Sequence, residues 1–220
     1  MTLQTIEMNP AGEARASLIV LHGLGADGAD FITMCDALDL ADVGPMRFVM
    51  PRAQERPVSL NNGYVMRAWY DLYGLETHRR EDEAGLRESM REVHGLIDRE
   101  RERGVPAHRI VLAGFSQGCA MTLLAGLRYP ERLAGLVGLS GYLPLIGSTA
   151  AERHPANAEV PLFMAHGSQD DVVSIERGRN ARDALTSLGY RVEWQDYPMA
   201  HSMCMDEVND LNRWLLQVLA

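Results

Sequence analysis

A serine with a glycine two positions away on each side is the first candidate for chemistry in this sequence. Ser116 lies in the segment GFSQG, between Gly114 and Gly118, after an apolar run and before an apolar helical stretch. A sharp strand-to-helix turn would explain the pattern, because the serine takes a strained backbone there and a Cβ at either glycine would clash. Such a turn lifts the hydroxyl towards a substrate. Since the pattern arises by chance in roughly one chain of this length in fifteen, the surrounding sequence has to decide.

A seryl nucleophile needs a base and an acid, and after a turn of this kind they follow in the order serine, carboxylate, histidine. Only one of the seven histidines, His201, lies beyond the adjacent carboxylates Asp170 and Asp171. It follows a predicted strand by four residues, where a loop can return it to the edge of the sheet that carries Ser116. The order predicts His201 as the base and leaves the acid open between Asp170 and Asp171.

The elements that must position these residues alternate between apolar runs and helical patterns. Short apolar runs predict buried strands of a parallel sheet. The predicted strands are Ala16–Leu21, Arg47–Met50, Arg109–Ala113, Leu133–Leu139, Val160–Ala165 and Tyr190–Tyr197, with Leu3–Met8 as an antiparallel edge strand. The predicted helices are Glu83–Arg103, Gln117–Arg128, Ile175–Ser187 and Cys204–Leu219. This alternation predicts a mostly parallel, doubly wound α/β sheet with helices on both faces, and residues 1–220 as a single domain.

Two long stretches show no clear helical or strand period, Pro51–Thr77 and Gly141–Glu159. Irregular segments of that length in a compact domain usually border a functional site. In a doubly wound sheet, reactive groups collect in the loops beyond the carboxyl ends of the strands. We therefore expect these stretches to form the rim of a site around Ser116.

Composition excludes several classes of protein. The formal net charge of −9 repels the phosphate backbone of nucleic acid, and no Lys/Arg cluster is interleaved with aromatic residues. The N-terminal residues contain no basic and apolar signal regions, and no apolar run approaches the length that spans a bilayer. We expect a cytoplasmic protein without stable membrane insertion. Cys35, Cys119 and Cys204 show neither disulfide nor zinc-ligand spacing.

Five segments of the chain form a set that is more specific than GFSQG alone. In chain order they are LHGLGADG, PRAQERPVSLNNGYVMRAWYDLYGL, AGFSQGCAM, HGSQDDVV and MAHSM. Together they resemble the small carboxylesterases that include acyl-protein thioesterases and are grouped with lysophospholipases in the α/β-hydrolase fold. The resemblance spans nearly the whole chain. It implies a catalytic triad of Ser116, Asp170 and His201 that works without a cofactor or metal.

The residue types suit the roles that the resemblance implies. His201 would take the proton of Ser116 and later give it to the leaving group, while Asp170 would fix the imidazole tautomer. The resemblance also implies an oxyanion hole formed by the backbone amides of Leu24 and Gln117. Gln117 directly follows the nucleophile at a predicted helix N-terminus, where the N–H group and the helix dipole favour negative charge.

Two positions depart from the family pattern. Cys119 stands where GFSQGG is usual, which places a thiol in the first helical turn. We expect no chemistry from that thiol. Asp171 stands where a proline is common in relatives, so two carboxylates are adjacent. The resemblance assigns the triad acid to the first of them, Asp170.

The aromatic-rich stretch Tyr64–Leu75 is the candidate substrate-binding segment. By the resemblance, part of it lines an apolar groove for the acyl chain beside the reacting serine. Met66, Trp69, Tyr70 and Leu72 are its candidate substrate-binding residues. The alternative is a loop that only packs onto the domain.

Other reactive side chains have plainer interpretations. His22 and His166 each precede a glycine at a strand end, where hydrogen bonding to the backbone is favoured over a role as base. Cys204 is interpreted as a buried helix thiol rather than a nucleophile. Met199 and Met203 flank the candidate base and fit either the acyl groove or the core.

These features predict a serine hydrolase that cleaves carboxylic esters of short to medium acyl chains through an acyl-Ser116 intermediate, with thioesters as a further substrate class. The expected partner is a small acyl ester or an acylated substrate, with no nucleic acid, cofactor or metal, and a homodimer stays open. One alternative is a lysophospholipase or lipase that uses the same triad. The other is a catalytically silent α/β-hydrolase that serves as a binding module.

Overall fold

The computed structural model describes residues 3–74 and 80–220. Over these residues the chain forms nine strands: β1 (Thr5–Met8), β2 (Ala16–Leu21), β3 (Met46–Pro51), β4 (Glu55–Val58), β5 (Tyr64–Arg67), β6 (Ile110–Phe115), β7 (Gly135–Leu139), β8 (Leu162–Gly167) and β9 (Val192–Tyr197). The same ranges contain six α-helices: α1 (Ile32–Ala37), α2 (Glu83–Glu102), α3 (Gln117–Arg128), α4 (Ile146–Glu152), α5 (Ile175–Ser187) and α6 (Met205–Val218). Residues 75–77, which end the first stretch predicted to be irregular, and Leu75 of the candidate substrate-binding segment lie outside the described residues.

Seven strands form one sheet in the order β1-β3-β2-β6-β7-β8-β9. β1 pairs antiparallel with β3, and every other neighbouring pair in this sheet is parallel. The predicted mostly parallel sheet with an antiparallel edge strand is confirmed. The register aligns Leu21 with Gly114 and Phe115 with Leu139. The carboxyl ends of β2, β6 and β7 therefore meet at one edge of the sheet.

Helices cover both faces of the sheet because successive residues of a strand point to opposite sides. On β2, Ile19 and Leu21 join an apolar cluster with α2, α3 and α5, which we call the first cluster. Leu18 and Val20 join a second cluster with α1 and α6. Every residue of β2 is buried, which is why its sequence is a nearly continuous apolar run rather than an alternation.

The predicted strands and main helices are present, with bounds within two residues of expectation. Two of the shifts affect the candidate site. β6 runs through Phe115, so the strand ends directly before Ser116, and β8 runs through Gly167, so His166 lies within the strand. That residues 1–220 form a single domain stays a prediction.

The two stretches predicted to be irregular contain regular elements, which corrects that expectation. The first contains an antiparallel hairpin of β4 and β5, and the second contains α4. The hairpin strands have four residues each, and Tyr64 and Val65 are 69% and 55% exposed. Neither hairpin face therefore shows the apolar alternation by which a strand is recognised. α4, with seven residues, and the unpredicted α1, with six, are too short to show a helical period.

Candidate active site

Ser116 is held in a strained backbone conformation between β6 and α3. Its φ and ψ angles are 55° and −114°, and a positive φ costs a residue with a side chain on the order of 1–3 kcal/mol. The Ser116 N–H donates to the Leu139 carbonyl of β7 at 2.8 Å. The neighbouring strand thus holds the serine in a conformation that it would not keep alone.

Two flanking glycines let this turn pack against the end of β2. A Cβ on Gly118 would lie 2.0 Å from the Leu21 carbonyl oxygen, and a Cβ on Gly114 would lie 2.2 Å from the Gly118 carbonyl oxygen. A Cβ on Gly23 would lie 3.3 Å from the Ser116 Cβ. The first two distances are far below any real contact, so a side chain at either position would push the turn away from the sheet.

The structure brings His201 between Ser116 and Asp170. Its Nε2 lies 2.9 Å from Ser116 Oγ, and its Nδ1 lies 2.7 Å from Asp170 Oδ2. An ionised carboxylate can only accept, so Nδ1 carries the proton and Nε2 is left to accept one from the serine hydroxyl. The Phe115 ring packs against the imidazole with their centroids 4.8 Å apart.

The side chain of Asp170 is fully buried, and both oxygens of its carboxylate are hydrogen-bonded. Oδ1 accepts from the N–H groups of Val172 and Val173 at 2.9 and 2.8 Å, while Oδ2 faces His201. The neighbouring Asp171 is exposed. Of the two carboxylates that the sequence left open, the structure brings Asp170 to the imidazole.

A second histidine, His166, lies behind the carboxylate. Its Nε2 donates to the Val173 carbonyl at 2.8 Å and lies 3.4 Å from Asp170 Oδ2. Burial lowers the pKa of His166, which keeps the ring neutral at physiological pH. The bond from His166 to Val173 closes the loop that carries Asp170. His166 thus bonds to the backbone, as the sequence analysis predicts.

His22 is also bonded to the backbone. Its Nδ1 donates to the Gly23 carbonyl at 2.7 Å, and its Nε2 accepts the Ala53 N–H at 3.0 Å. Burial lowers the pKa of His22, which favours the neutral ring that these two hydrogen bonds require. His22 therefore joins the loop after β2 to the residues after β3.

Leu24 and Gln117 line the same cavity as Ser116. Gln117 is the first residue of α3. Leu24 precedes Gly25, whose φ of 72° turns the loop and whose N–H donates to the Arg67 carbonyl at 2.8 Å. Within the described part of the chain, no acceptor takes the backbone N–H of Leu24 or Gln117. Both groups are therefore available to an oxygen atom in the cavity.

The side chain of Gln117 ties the Ser116 turn to the segment before α2. Its Oε1 accepts the Trp69 N–H at 2.8 Å, and its Nε2 donates to the Tyr70 carbonyl at 2.9 Å. The sequence analysis assigned a role only to the backbone of Gln117 and missed its side chain. A signal was present, because a buried amide in a largely apolar helix has to find hydrogen-bond partners.

A cavity of about 220 Å³ opens beside Ser116, and its lining is mostly apolar. The lining residues are Leu24, Leu60, Asn61, Tyr70, Leu72, Ser116, Gln117, Tyr142, Val172, Val173 and Arg177. Of the four predicted substrate-binding residues, Tyr70 and Leu72 reach it. Tyr142 and Arg177 were not predicted, because they come from distant segments and nothing in their local sequence marks them.

Trp69 does not reach this cavity, which corrects the expectation that it binds substrate. Its side chain is 0% exposed, and the indole Nε1 donates to the His22 carbonyl at 2.9 Å. The Trp69 carbonyl accepts the Ser89 hydroxyl. A buried indole needs an acceptor for its N–H, and the acceptor lies in the loop after β2 rather than at the cavity.

Met66 also lies outside the lining. Its sulfur accepts a hydrogen bond from Asn61 Nδ2 at 3.4 Å, and it would lie 3.4 Å from a Cβ on Gly25. Met66 thus packs between the β4–β5 hairpin and the loop that carries Leu24. It contacts the lining residue Asn61 but is not part of the lining itself.

Comparison with known proteins identifies the family. The profile described as Phospholipase/Carboxylesterase matches residues 4–219. The chain belongs to the phospholipase/carboxylesterase family. Its curated relatives include acyl-protein thioesterase 1 of Yarrowia lipolytica, which is 38% identical over 205 residues that cover 91% of this chain and 90% of that protein.

Solved structures agree with the family assignment. The structure of Zea mays acyl-protein thioesterase 2 matches with a TM-score of 0.87 at 30% identity and covers 99% of both chains. That of Arabidopsis thaliana SOBER1 matches with a TM-score of 0.89 at 30% identity, over 94% of this chain and 100% of that one. The predicted resemblance and the α/β-hydrolase fold are confirmed, and this member of the phospholipase/carboxylesterase family is a hydrolase.

The two cysteines near the site differ in their surroundings. Cys119, the departure from the phospholipase/carboxylesterase pattern, is fully buried, and a Cβ on Gly141 would lie 2.4 Å from its Cβ. Burial raises the pKa of the Cys119 thiol to about 12, which keeps it protonated and unreactive. Cys204 directly precedes α6 and is only partly buried, which corrects the interpretation of a buried helix thiol.

The methionines on either side of His201 belong to the core rather than to the cavity. Met199 and Met203 pack against the second cluster, on the side of the sheet that carries α1 and α6. Of the two interpretations left open by the sequence, the structure supports core packing.

Two features are absent from residues 3–74 and 80–220. These ranges hold no group of three or more His, Cys, Asp or Glu side chains arranged to bind a metal ion. None of their helices combines the length and the hydrophobicity needed to cross a bilayer.

Proposed function

We propose that the chain is a serine hydrolase that cleaves carboxylic esters and thioesters through an acyl-Ser116 intermediate, with Ser116, His201 and Asp170 as its triad. One observation carries the proposal: His201 lies 2.9 Å from the serine oxygen and 2.7 Å from the buried carboxylate at the same time. Relatives named as an acyl-protein thioesterase and a probable carboxylesterase support both substrate classes.

In the acylation step, His201 Nε2 accepts the Ser116 proton as Oγ attacks the carbonyl carbon of the substrate. A tetrahedral intermediate forms, with the negative charge on the former carbonyl oxygen. That oxygen accepts hydrogen bonds from the backbone N–H groups of Leu24 and Gln117, and the N-terminus of α3 adds its dipole. When the intermediate collapses, the bond to the leaving group breaks and His201 gives its proton to the departing alcohol or thiol.

In the deacylation step, water takes the place of the departed alcohol or thiol. His201 Nε2 accepts a proton from the water as its oxygen adds to the acyl carbon. Collapse of the second tetrahedral intermediate breaks the bond to Ser116 Oγ, which takes the proton back from His201. The acid product leaves, and the hydroxyl and the imidazole return to their starting states.

Asp170 stabilises the imidazolium that forms in both steps. The N–H groups of Val172 and Val173 fix the orientation of its carboxylate. The carboxylate in turn holds the proton of His201 on Nδ1, which leaves Nε2 to exchange protons with the serine, the leaving group and water.

The proposed substrate is a small acyl ester or an acylated molecule whose acyl chain enters the cavity lined by Tyr70 and Leu72. A mostly apolar lining suits a hydrocarbon chain, because burying each methylene is favourable. A lysophospholipase or lipase would use the same triad, and a silent binding module would leave Ser116 unreactive. A homodimer stays a prediction.

Paired oxoester and thioester substrates test the proposal. The rates with p-nitrophenyl butyrate and S-butyryl thiocholine are measured for the wild type, Ser116→Ala and the control Ser187→Ala, an exposed serine at the end of α5. We expect the wild type and the control to hydrolyse both substrates. Ser116→Ala should lose at least about 10³-fold in kcat. A wild type that hydrolyses neither substrate would indicate a silent module, and a Ser116→Ala variant with full activity would contradict the proposed nucleophile.

A further inference from the structure

Two tyrosines from distant segments meet in the cavity beside Ser116. Tyr70 and Tyr142 both line the cavity beside Ser116, and their hydroxyl oxygens form a hydrogen bond at 2.5 Å. We propose that this tyrosine pair is the inner wall of the cavity and restricts the enzyme to short acyl chains. The proposal rests on the proposed function and specifies its substrate class.

Exposure distinguishes the inner wall from the mouth of the cavity. Tyr70 is 2% exposed and Tyr142 is 7% exposed, whereas the lining residues Asn61 and Val172 are exposed to solvent. Ser116 lies between these extremes and is partly buried. An acyl chain that enters past Asn61 and Val172 therefore runs towards the buried part of the lining, which includes the two tyrosine rings.

The backbone of Tyr70 is fixed by the helix that carries the nucleophile turn. Gln117 donates to the Tyr70 carbonyl and accepts from the Trp69 N–H, and the Trp69 indole is bonded to the His22 carbonyl. To move out of the way, the Tyr70 ring would have to change rotamer inside a close-packed site. The wall is therefore rigid on this side.

Tyr142 is fixed from the opposite side by α5. The Arg177 guanidinium lies 3.8 Å from the centroid of the Tyr142 ring, which is a cation–π arrangement. The backbone of Tyr142 also lies within hydrogen-bond reach of the buried Cys119 thiol in α3. The two rings are thus held from separate elements, and their hydroxyl contact closes the space between them.

The size of the cavity fits a short chain. Its volume of about 220 Å³ is below the roughly 300–1,000 Å³ of pockets that hold drug-sized ligands. While space remains, each added methylene should raise kcat/KM about fourfold. A chain that has reached the rings must displace a fixed side chain or leave its end in water, so further methylenes stop raising kcat/KM.

Chain-length profiles of wall variants test the proposal. The kcat/KM values of p-nitrophenyl esters from acetate to decanoate are measured for the wild type, Tyr142→Leu and Tyr142→Phe. The wild type should rise through the short esters and then fall. Tyr142→Leu removes ring volume and should raise the octanoate-to-butyrate ratio about tenfold. Tyr142→Phe keeps the ring and loses the hydroxyl contact, so its ratio should shift in the same direction by less.

A second buried tyrosine supplies the matched control. Tyr129 is 1% exposed and its hydroxyl donates to Asp98 at 2.6 Å, but it follows the end of α3 and is not part of the cavity lining. Tyr129→Leu should lose stability and keep the wild-type chain-length optimum. An equal shift in Tyr129→Leu and Tyr142→Leu would overturn the wall, because any loosening of the core would then change the profile.

Binding of product carboxylates separates this inference from the proposed function. The affinities of butanoate to decanoate for Ser116→Ala, with and without Tyr142→Leu or Tyr142→Phe, are measured by calorimetry and need no turnover. Tyr142→Leu should make a longer carboxylate the tightest binder. If that variant does not fold, Tyr142→Phe gives the same test. An inactive wild type with this shift would contradict the proposed function alone. Tyr142 variants that leave both the ester profile and the carboxylate affinities unchanged would overturn the tyrosine wall.

Discussion

The turn around Ser116 and the segment of residues 51–74 border the same cavity but are fixed in different ways. Backbone contacts within the sheet fix the turn, since Ser116 donates to Leu139 and Gly118 packs against Leu21. The aromatic end of the segment is instead held by a side chain that lies far away in sequence, since Gln117 accepts from the Trp69 N–H and donates to the Tyr70 carbonyl.

This difference separates two kinds of effect. The proposed nucleophile takes its position from the sheet, so substitutions in the turn should change the rate for every substrate. The rings of the segment take their positions from a few side-chain contacts, so substitutions there should change stability or acyl preference. Burial is uneven within the segment, because Tyr64 of the hairpin is 69% exposed whereas Tyr70 is 2% exposed.

The largest expected effect lies at Asp170, the carboxylate that bonds to His201. Asp170→Asn should lower kcat by about 10⁴-fold, because an amide in place of the acid holds the imidazole in the wrong tautomer. Asp171→Asn is the matched control, since that side chain is exposed, and it should lower kcat tenfold or less on the same scale. Purified variants with matched circular dichroism are compared by kcat. The reverse ranking would make Asp171 the triad acid.

A methyl group at the turn should cost both stability and rate. A Cβ at Gly118 would lie 2.0 Å from the Leu21 carbonyl oxygen, so Gly118→Ala should lower the free energy of unfolding by about 3 kcal/mol. The displaced turn should also lower kcat about 10²-fold. Gly147→Ala in α4 meets nothing within 4 Å and is the control, with stability unchanged or slightly raised. Equal melting temperatures for the two variants in denaturation scans would show that the turn tolerates displacement.

A buried carboxyl next to the loop of His201 should make stability depend on pH. Glu207 is 0% exposed, and within the described residues no side chain hydrogen-bonds to its carboxyl, which faces the backbone of Cys204. Burial raises the pKa of Glu207 to about 8 from the usual value of 4.5. Between these values the unfolded chain releases a proton that the folded chain retains. The free energy of unfolding should therefore fall by up to about 1.4 kcal/mol per pH unit as pH rises through this window.

Glu207→Gln should remove that dependence. The stability of the variant relative to the wild type should rise between pH 4.5 and 8 and then level off. Glu100→Gln is the control, because Glu100 is equally buried but accepts from Arg47 and Ser17, and it should be destabilised at pH 8. Denaturant titrations of both variants at several pH values give the comparison. A Glu207→Gln difference that stays constant with pH would show that this carboxyl does not retain its proton.

The smallest expected effect lies at Trp69, in the segment of residues 51–74. Trp69→Phe loses the indole bond to the His22 carbonyl, which should lower the free energy of unfolding by about 2 kcal/mol. The chain-length optimum should stay that of the wild type, because Trp69 lies outside the cavity lining. Thermal unfolding and the ester profile are measured together. A shifted optimum would return Trp69 to the acyl site and weaken the contrast between the two regions.

The same contrast explains what the sequence could predict. The turn of Ser116 follows from two nearby glycines and a buried strand, and the order of His201 after the carboxylates needs only the chain itself. The resemblance assigned the acid to Asp170. The structure gives a physical reason for its position, because its carboxylate accepts hydrogen bonds from two backbone N–H groups. These residues are marked by local sequence or by motif.

The resemblance pointed to Tyr70, but its pairing with Tyr142 could not be predicted in this way. Tyr70 and Tyr142 are 72 residues apart, and no local period links them. Trp69 and Tyr70 are adjacent and chemically similar. The buried Trp69 indole donates to the His22 carbonyl, whereas Tyr70 lines the cavity. Only the packing of distant elements decides between such neighbours.

Labelling with a fluorophosphonate tests most directly whether Ser116 is the nucleophile. The reagent phosphonylates a serine that is activated by a neighbouring base and placed beside an oxyanion hole. Intact-mass analysis of the wild type should show a single adduct, and peptide mapping should locate it on the peptide that contains Gly114–Gly118. Ser116→Ala should stay unmodified under the same conditions. A folded wild type that takes up no label, or a label that maps to another residue, would contradict the assignment of Ser116.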